Sequence, residues 1–249
     1  MTEDERTAVL STGHEVALPL STDASIVAAT FGASLDGVRT LLPEELAPIR
    51  VTPSRAAATL MCVEYDRIGR GEIEPYAEFG VLFAAAPDDG TAPPDARTAS
   101  PLSLLTGEGG GYVWTLPVTT EPARALGEIW SYPKIVAGIE FEDEGATRRT
   151  TVDIDGERLL SVEIRRPRTL SSGVTTRSYT AGDDGVVREP LTLRGDFGAA
   201  PLSSRVALSL GDHPQADRLR ALDLGSRALA RIAFEGEFRI APPEPLGGD

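Results

Sequence analysis

The feature that most limits what this chain can fold into is alternation. Ten stretches place apolar and polar residues on opposite sides with a period of two: SIVAATF (25–31), AATLMCVEY (57–65), YAEFGVLF (76–83), GYVWTLPV (111–118), KIVAGIEF (134–141), TTVDI (150–154), RLLSVEI (158–164), TTRSYT (175–180), RVALSL (205–210) and LARIAFEGEFRI (229–240). A side-chain period of two belongs to a strand with one face buried, so the chain reads as mostly β. Asp155-Gly156 between two of these stretches is a two-residue hairpin signal, because both residues accept φ > 0; Asp184-Gly185 is a weaker one.

Helical patterns are short. SLDGVRTLLP (34–43) puts Leu35, Val38, Leu41 and Leu42 on one face behind a Ser34 cap. TEPARALGEIW (120–130) starts with Thr120 as cap and has acid and proline in its first turn, and HPQADRLRAL (213–222) is a third candidate. The segment 87–101, PDDGTAPPDARTASP, carries no periodicity and is expected to be a mobile loop. Residues 1–12 and 241–249 are expected to fray. Neither a composition break nor an internal repeat divides the chain. The expectation is one mostly antiparallel β domain over 1–249, with two or three short helices.

Composition narrows the partners. With 41% hydrophobic residues the chain can bury a full core, and a net charge of -14 argues against nucleic acid and anionic membranes. A single cysteine, Cys62, forms no internal disulfide, and MTEDERT has neither a basic nor an apolar leader region; both fit a cytoplasmic protein. No apolar run approaches the roughly 20 residues that span a bilayer. His14, His213 and Cys62 lie far apart and give no metal spacing, GxSxG is absent, and Gly109-Gly110-Gly111 leads into a strand rather than a phosphate loop. His213 reads as a helix-start residue. No cofactor is implied.

One residue type is conspicuous. The chain has 23 arginines and a single lysine, Lys134. Arginine serves an ion pair at least as well as lysine, but only lysine can shed its proton and attack a carbonyl. On a single strand from 134 to 141, Ile135, Ala137, Ile139 and Phe141 form one apolar face, and Lys134 shares the other with Val136 and Gly138. On YAEFGVLF, Ala77, Phe79, Val81 and Phe83 form the apolar face, opposite Tyr76, Glu78, Gly80 and Leu82. In a closed or strongly curved sheet, Lys134 and Glu78 would share a cavity. Exposure to solvent is the usual fate of both residue types, and it is the competing expectation.

The segment GGYVWTLPVTTEPARALGEIWSYPKIVAGIEF (110–141), and EIWSYPK within it, resembles the signature region of the acetoacetate decarboxylase superfamily, where a helix ending GRExxxYPK precedes a strand led by the catalytic lysine. LDGVRTLLPEEL (35–46), EPYAEFGVLF (74–83, where the family has YxE) and the stretch from 208 to 240 extend the resemblance over most of the chain. It implies a cone-like antiparallel β-barrel with the lysine inside, and a homo-oligomer. It implies Lys134 as a Schiff-base lysine, Glu78 as an active-site carboxylate and Glu128 as the acid that follows the helix. Trp130, Tyr132 and Tyr76 stand near these in the sequence as flat or hydroxyl-bearing walls for a keto acid or other carbonyl substrate. There are departures. Ile135 stands where the best-known decarboxylases have a second lysine, Gly127 replaces the arginine of GRE, and an arginine and a glutamate of the decarboxylase site fall near Ala24 and Leu60. The expectation is therefore a Schiff-base lyase with aldol-type or dehydration chemistry. The alternatives are a true acetoacetate or β-keto acid decarboxylase, a cyclase or tailoring enzyme of secondary metabolism, and a non-catalytic binding protein on the same scaffold.

Overall fold

The computed structural model describes residues 6–88, 90, 98 and 110–246. Most of the 87–101 segment, and Gly109, lie outside the described residues. The strands are β1 (Arg6–Val9), β2 (Glu15–Leu18), β3 (Leu20–Ser34), β4 (Leu46–Pro48), β5 (Arg50–Thr52), β6 (Arg55–Ile68), β7 (Tyr76–Pro87), β8 (Gly110–Val118), β9 (Lys134–Val136), β10 (Gly138–Glu144), β11 (Thr147–Ile154), β12 (Glu157–Arg165), β13 (Leu170–Gly182), β14 (Gly185–Ser203), β15 (Val206–Leu210), β16 (Ala228–Ile240) and β17 (Glu244–Pro245). Three short helices, α1 (Leu35–Arg39), α2 (Glu121–Leu126) and α3 (Pro214–Ala221), follow caps formed by Ser34, Thr120 and His213, each of which accepts a backbone N–H. His213 is thus a helix-start residue, its ring nitrogen accepting from the Gln215 amide.

Seven strands close a barrel in the order β7, β6, β3, β16, β14, β13, β8, with β8 returning to β7. The joins are antiparallel except β13 to β8, a short parallel seam pairing Ser178 with Gly111 and Tyr179 with Tyr112. A second sheet of four antiparallel strands, β10-β11-β12-β15, packs on the outside. Alternation explains both layers. Outward residues such as Val27, Phe31, Leu60, Phe79, Val81 and Phe83 meet Val152, Leu160 and Val162 of the second sheet in one apolar core. Inward residues at one end of the barrel, among them Leu20, Tyr65, Phe234 and Phe238, form another with Leu126 and Trp130. Each fully buried Leu, Ile or Phe in these cores contributes roughly 1.5–3 kcal/mol.

Several local expectations need correcting. The segment 134–141 is two strands, not one. β9 pairs in parallel with β8, and the chain then crosses into the second sheet as β10, with the Ala137 amide bonded to the Val118 carbonyl. Val136 is exposed. Residues 6–9 form β1, paired with β2, and Leu10 is buried. Residues 244–245 pair with β14. The Asp155-Gly156 turn forms as read, with φ of 52° and 81°. The turn joining β13 to β14 lies one residue earlier than read, between Gly182 and Gly185. No helix among the described residues is long and apolar enough to cross a membrane.

Candidate active site

Lys134 reaches the barrel interior because the preceding turn leaves it one route. After α2 the chain makes a 3-10 turn, Gly127–Trp130, and Ser131 reverses it in the left-handed region at φ 54°. The Tyr132 amide bonds back to the Gly127 carbonyl at 3.0 Å, and β9 begins at Lys134, opposite Leu116 of β8. The lysine stem then runs over Gly127. A Cβ built on Gly127 would lie 2.7 Å from Lys134 Cδ and 2.9 Å from Cγ. The departure from arginine noted in the sequence is therefore a channel for the lysine.

Glu78 comes from the middle of β7, on the inward face that the alternation assigned to it. Lys134 Nζ and Glu78 Oε2 are 2.8 Å apart, and both side chains are 4% exposed. The contact is an ion pair without the alignment of a hydrogen bond, so Oε2 retains a lone pair for another donor. Glu78 Oε1 accepts from the Tyr65 hydroxyl at 3.2 Å, and Nζ donates to Tyr76 Oη at 3.4 Å. The rings of Tyr76 and Tyr132 lie 5.3 and 5.8 Å from Nζ, within cation–π range. Burial, reinforced by the Glu78 charge, holds the Tyr65 and Tyr76 phenols well above the usual tyrosine range. Burial does the same for Tyr132. All three stay protonated as hydrogen-bond donors.

These groups open onto a cavity of about 230 Å3 through the barrel interior. Its walls are mainly apolar, with Ile26, Met61, Leu116, Leu193, Phe197 and Phe234 among them. Among the described residues the charged side chains on its lining are Lys134, Glu78 and Arg177, and Arg177 is exposed. Among the described residues no three His, Cys, Asp or Glu side chains converge as a metal site.

The structure brings together Lys134, Glu78, Tyr76, Tyr132 and Trp130. Trp130 is buried with its indole N–H donated to the Ala241 carbonyl at 2.8 Å, so it offers the cavity a ring face and no donor. Glu128 is not part of this group. It is exposed on the outer side of the 3-10 turn, where it accepts from Arg124 at 3.3 Å and Ser11 at 3.2 Å. Leu60 also points away, into the core under the second sheet; its neighbour Met61 faces the cavity. Ala24 is buried in the apolar cluster at the end of the barrel that holds Trp130.

Sequence reasoning missed two groups. Tyr65, the donor to Glu78, lies on the inward face of β6, two residues beyond the inward Val63. Glu189 of β14 is completely buried, and burial pushes its carboxyl up to about 7. Period two from the inward Leu191 and Leu193 pointed to Glu189, but the prolines and glycines of β14 obscured that strand.

A closed β-barrel that holds a buried primary amine against a carboxylate, in an otherwise apolar cavity, defines the class of molecule. The model of the family described as acetoacetate decarboxylase matches residues 8–239, and the chain belongs to that family. Solved structures agree on the fold. An acetoacetate decarboxylase superposes with a TM-score of 0.58 at 17% identity, covering 92% of this chain and 89% of that one. The acetoacetate decarboxylase of Legionella pneumophila gives 0.62 at 14% identity, with 99% and 92% covered. The enduracididine biosynthesis enzyme MppR, complexed with the condensation product of pyruvate and imidazole 4-carboxaldehyde, gives 0.60 at 10% identity, with 90% and 88% covered. No curated protein matches the sequence.

Proposed function

We propose that this protein is a Schiff-base-forming lyase in which Lys134 condenses with a carbonyl substrate and the resulting iminium supports aldol-type carbon–carbon chemistry or dehydration. The observation that carries this reading is the buried 2.8 Å pair of Lys134 and Glu78 facing an apolar cavity. Burying two charges costs several kcal/mol per ion and is weak evidence of a stability role, so a chemical use accounts better for the pair.

The chemistry balances within the pair. Lys134 passes its proton to Glu78, and the free amine attacks the carbonyl carbon. Glu78 returns the proton to the departing hydroxyl, water leaves, and the C=N+ iminium remains. Loss of an α-proton to the Glu78 carboxylate sends the C–H electron pair into a C=C bond and the C=N π pair back to nitrogen. The enamine so formed attacks a second carbonyl; elimination of water from the adduct completes a dehydration. Tyr76 and Tyr132 provide walls for the iminium.

Decarboxylation needs the substrate carboxylate held beside the iminium. Among the described residues, the cationic side chain on the cavity lining apart from Lys134 is the exposed Arg177. The pocket suits a neutral or apolar carbonyl better, and the condensation product held by MppR supports a carbon–carbon reaction on this fold. The test is incubation with pyruvate or 2-butanone, then borohydride, then peptide mass mapping. An adduct on the peptide carrying Lys134 is expected; no adduct with either overturns the reading. Run beside it, acetone release from acetoacetate is expected to be slow compared with aldehyde condensation. Rapid acetone release abolished by Lys134→Ala would assign plain decarboxylation instead.

A further inference from the structure

Behind Tyr132 lies a chain of hydroxyl groups that ends on a buried acid. Tyr132 Oη is 3.2 Å from Ser178 Oγ, which is 2.8 Å from Glu189 Oε2. The other carboxyl oxygen, Oε1, is 2.8 Å from Thr180 Oγ1, and Thr180 Oγ1 is 2.5 Å from the Trp130 carbonyl. A hydroxyl has one hydrogen. The Trp130 carbonyl only accepts, so at 2.5 Å it takes the Thr180 hydrogen. The contact between Thr180 and Glu189 then needs a hydrogen of its own, and Glu189 Oε1 must carry it. With the acid proton on Oε1, Oε2 is an acceptor, so Ser178 donates to it and Tyr132 donates to Ser178. Every direction in the chain follows from this count. The phenol hydrogen of Tyr132 is thereby committed to Ser178.

We propose that Glu189 is a positioning residue: as a neutral carboxylic acid it anchors the Tyr132–Ser178–Glu189 chain that fixes the tyrosine wall of the lysine site, and its ionisation releases that wall. The proposal rests on the Schiff-base reading of Lys134. Burial supports the neutral form by raising the Glu189 carboxyl to about 7. Of the elements packed on Glu189, the turn before β9 brings Tyr132 as its titratable group and β13 brings the uncharged Ser178 and Thr180; Arg188 and Glu244 pair with each other on the other face of β14. When Glu189 loses its proton both its oxygens become acceptors. The Thr180 hydrogen is then claimed by Glu189 and by the Trp130 carbonyl, and a negative charge arises behind Tyr132.

The test separates this from the lysine reading. Infrared difference spectra between wild type and Glu189→Gln, well below pH 7, should show the carbonyl stretch of one protonated carboxylic acid, lost as the pH rises through about 7. The rate of borohydride-trapped 2-butanone on Lys134 is measured over the same range. Glu189→Leu and Ser178→Ala should slow trapping about tenfold below pH 7, since misplaced groups near a reacting centre cost that much or more. Glu189→Gln, whose amide can donate to Thr180 and accept from Ser178, should restore most of the rate. It should also lack the decline above pH 7 that wild type shows relative to it. If the protonated band is absent, or if Glu189→Gln is as slow as Glu189→Leu with no difference in pH profile, the proposal is overturned. Wild type that fails to trap carbonyl yet shows the band overturns the lysine reading while leaving the neutral acid established.

Discussion

Gly127 offers the sharpest test of how the lysine is held. Its φ and ψ of -65° and -24° are ordinary helical values that any residue adopts. In such a position alanine is favoured over glycine by roughly 0.8–1 kcal/mol, so backbone conformation does not explain the glycine; space does. A Cβ there would stand 2.7 Å from Lys134 Cδ, where ordinary contact begins at 3.4 Å, so the buried stem must move by about 0.7 Å. The stem has little freedom, because its backbone is pinned by β8 and its amine by Glu78 at 2.8 Å. Overpacking of this kind costs about 1–3 kcal/mol, and displacing a nucleophile by about 1 Å costs about 10²-fold in rate. Gly127→Ala should therefore keep the fold, with a small drop in melting temperature, and slow carbonyl trapping on Lys134 by about 10- to 100-fold. The assay is quenched-time borohydride trapping with mass detection, run beside a thermal melt. Wild-type trapping by Gly127→Ala would refute the argument that this glycine exists to admit the lysine.

Lys134→Arg should fold and show no trapping, since the guanidinium stays protonated; any turnover it retains would remove the amine from the mechanism. Glu78→Gln should lower turnover by about 10²-fold or more with a smaller change in apparent substrate affinity, and a raised KM with unchanged kcat would assign it to binding alone. Stability should track the Glu189 proton. Its folded value lies above the unfolded one, so its contribution is complete below about 4.5 and is lost as the pH rises through about 7. At 1.36 kcal/mol for each pH unit between those values, the loss is about 3 kcal/mol relative to Glu189→Gln. Denaturant titrations on both sides of that window should show it, and a pH-independent difference between the two proteins would contradict it.

What the sequence made legible was whatever a period of two controls. Glu78 and its inward companions Tyr76 and Leu82 stand on the face that the alternation assigned to them, because β7 is regular and buried on both sides. Lys134 was found through its chemistry, but the reading of a single strand from 134 to 141 failed where the chain changes sheets at Ala137. That crossing is a tertiary event with no local signal. Leu60 was set beside a family glutamate, and the strand shows why the position misleads: one residue along β6 turns the side chain from core to cavity, so Met61 lines the interior instead. Glu128 was expected beside the substrate, but the 3-10 turn directs it outward while Gly127 faces the lysine. Glu189 sits in a strand interrupted by Pro190, Gly195, Gly198 and Pro201, where alternation is hard to see. Its partners come from β13 and from the turn after α2, which only the closed barrel brings together.

The solitary lysine has a practical consequence. Apart from two histidines every other basic side chain is an arginine, and the one ε-amine lies inside the barrel. Protein grown with lysine labelled at the side-chain nitrogen would therefore carry a single isotopic probe, placed on the reacting atom itself. Its magnetic resonance signal would follow the charge of that amine through a titration, and its conversion to an imine, without assignment and without a mutation.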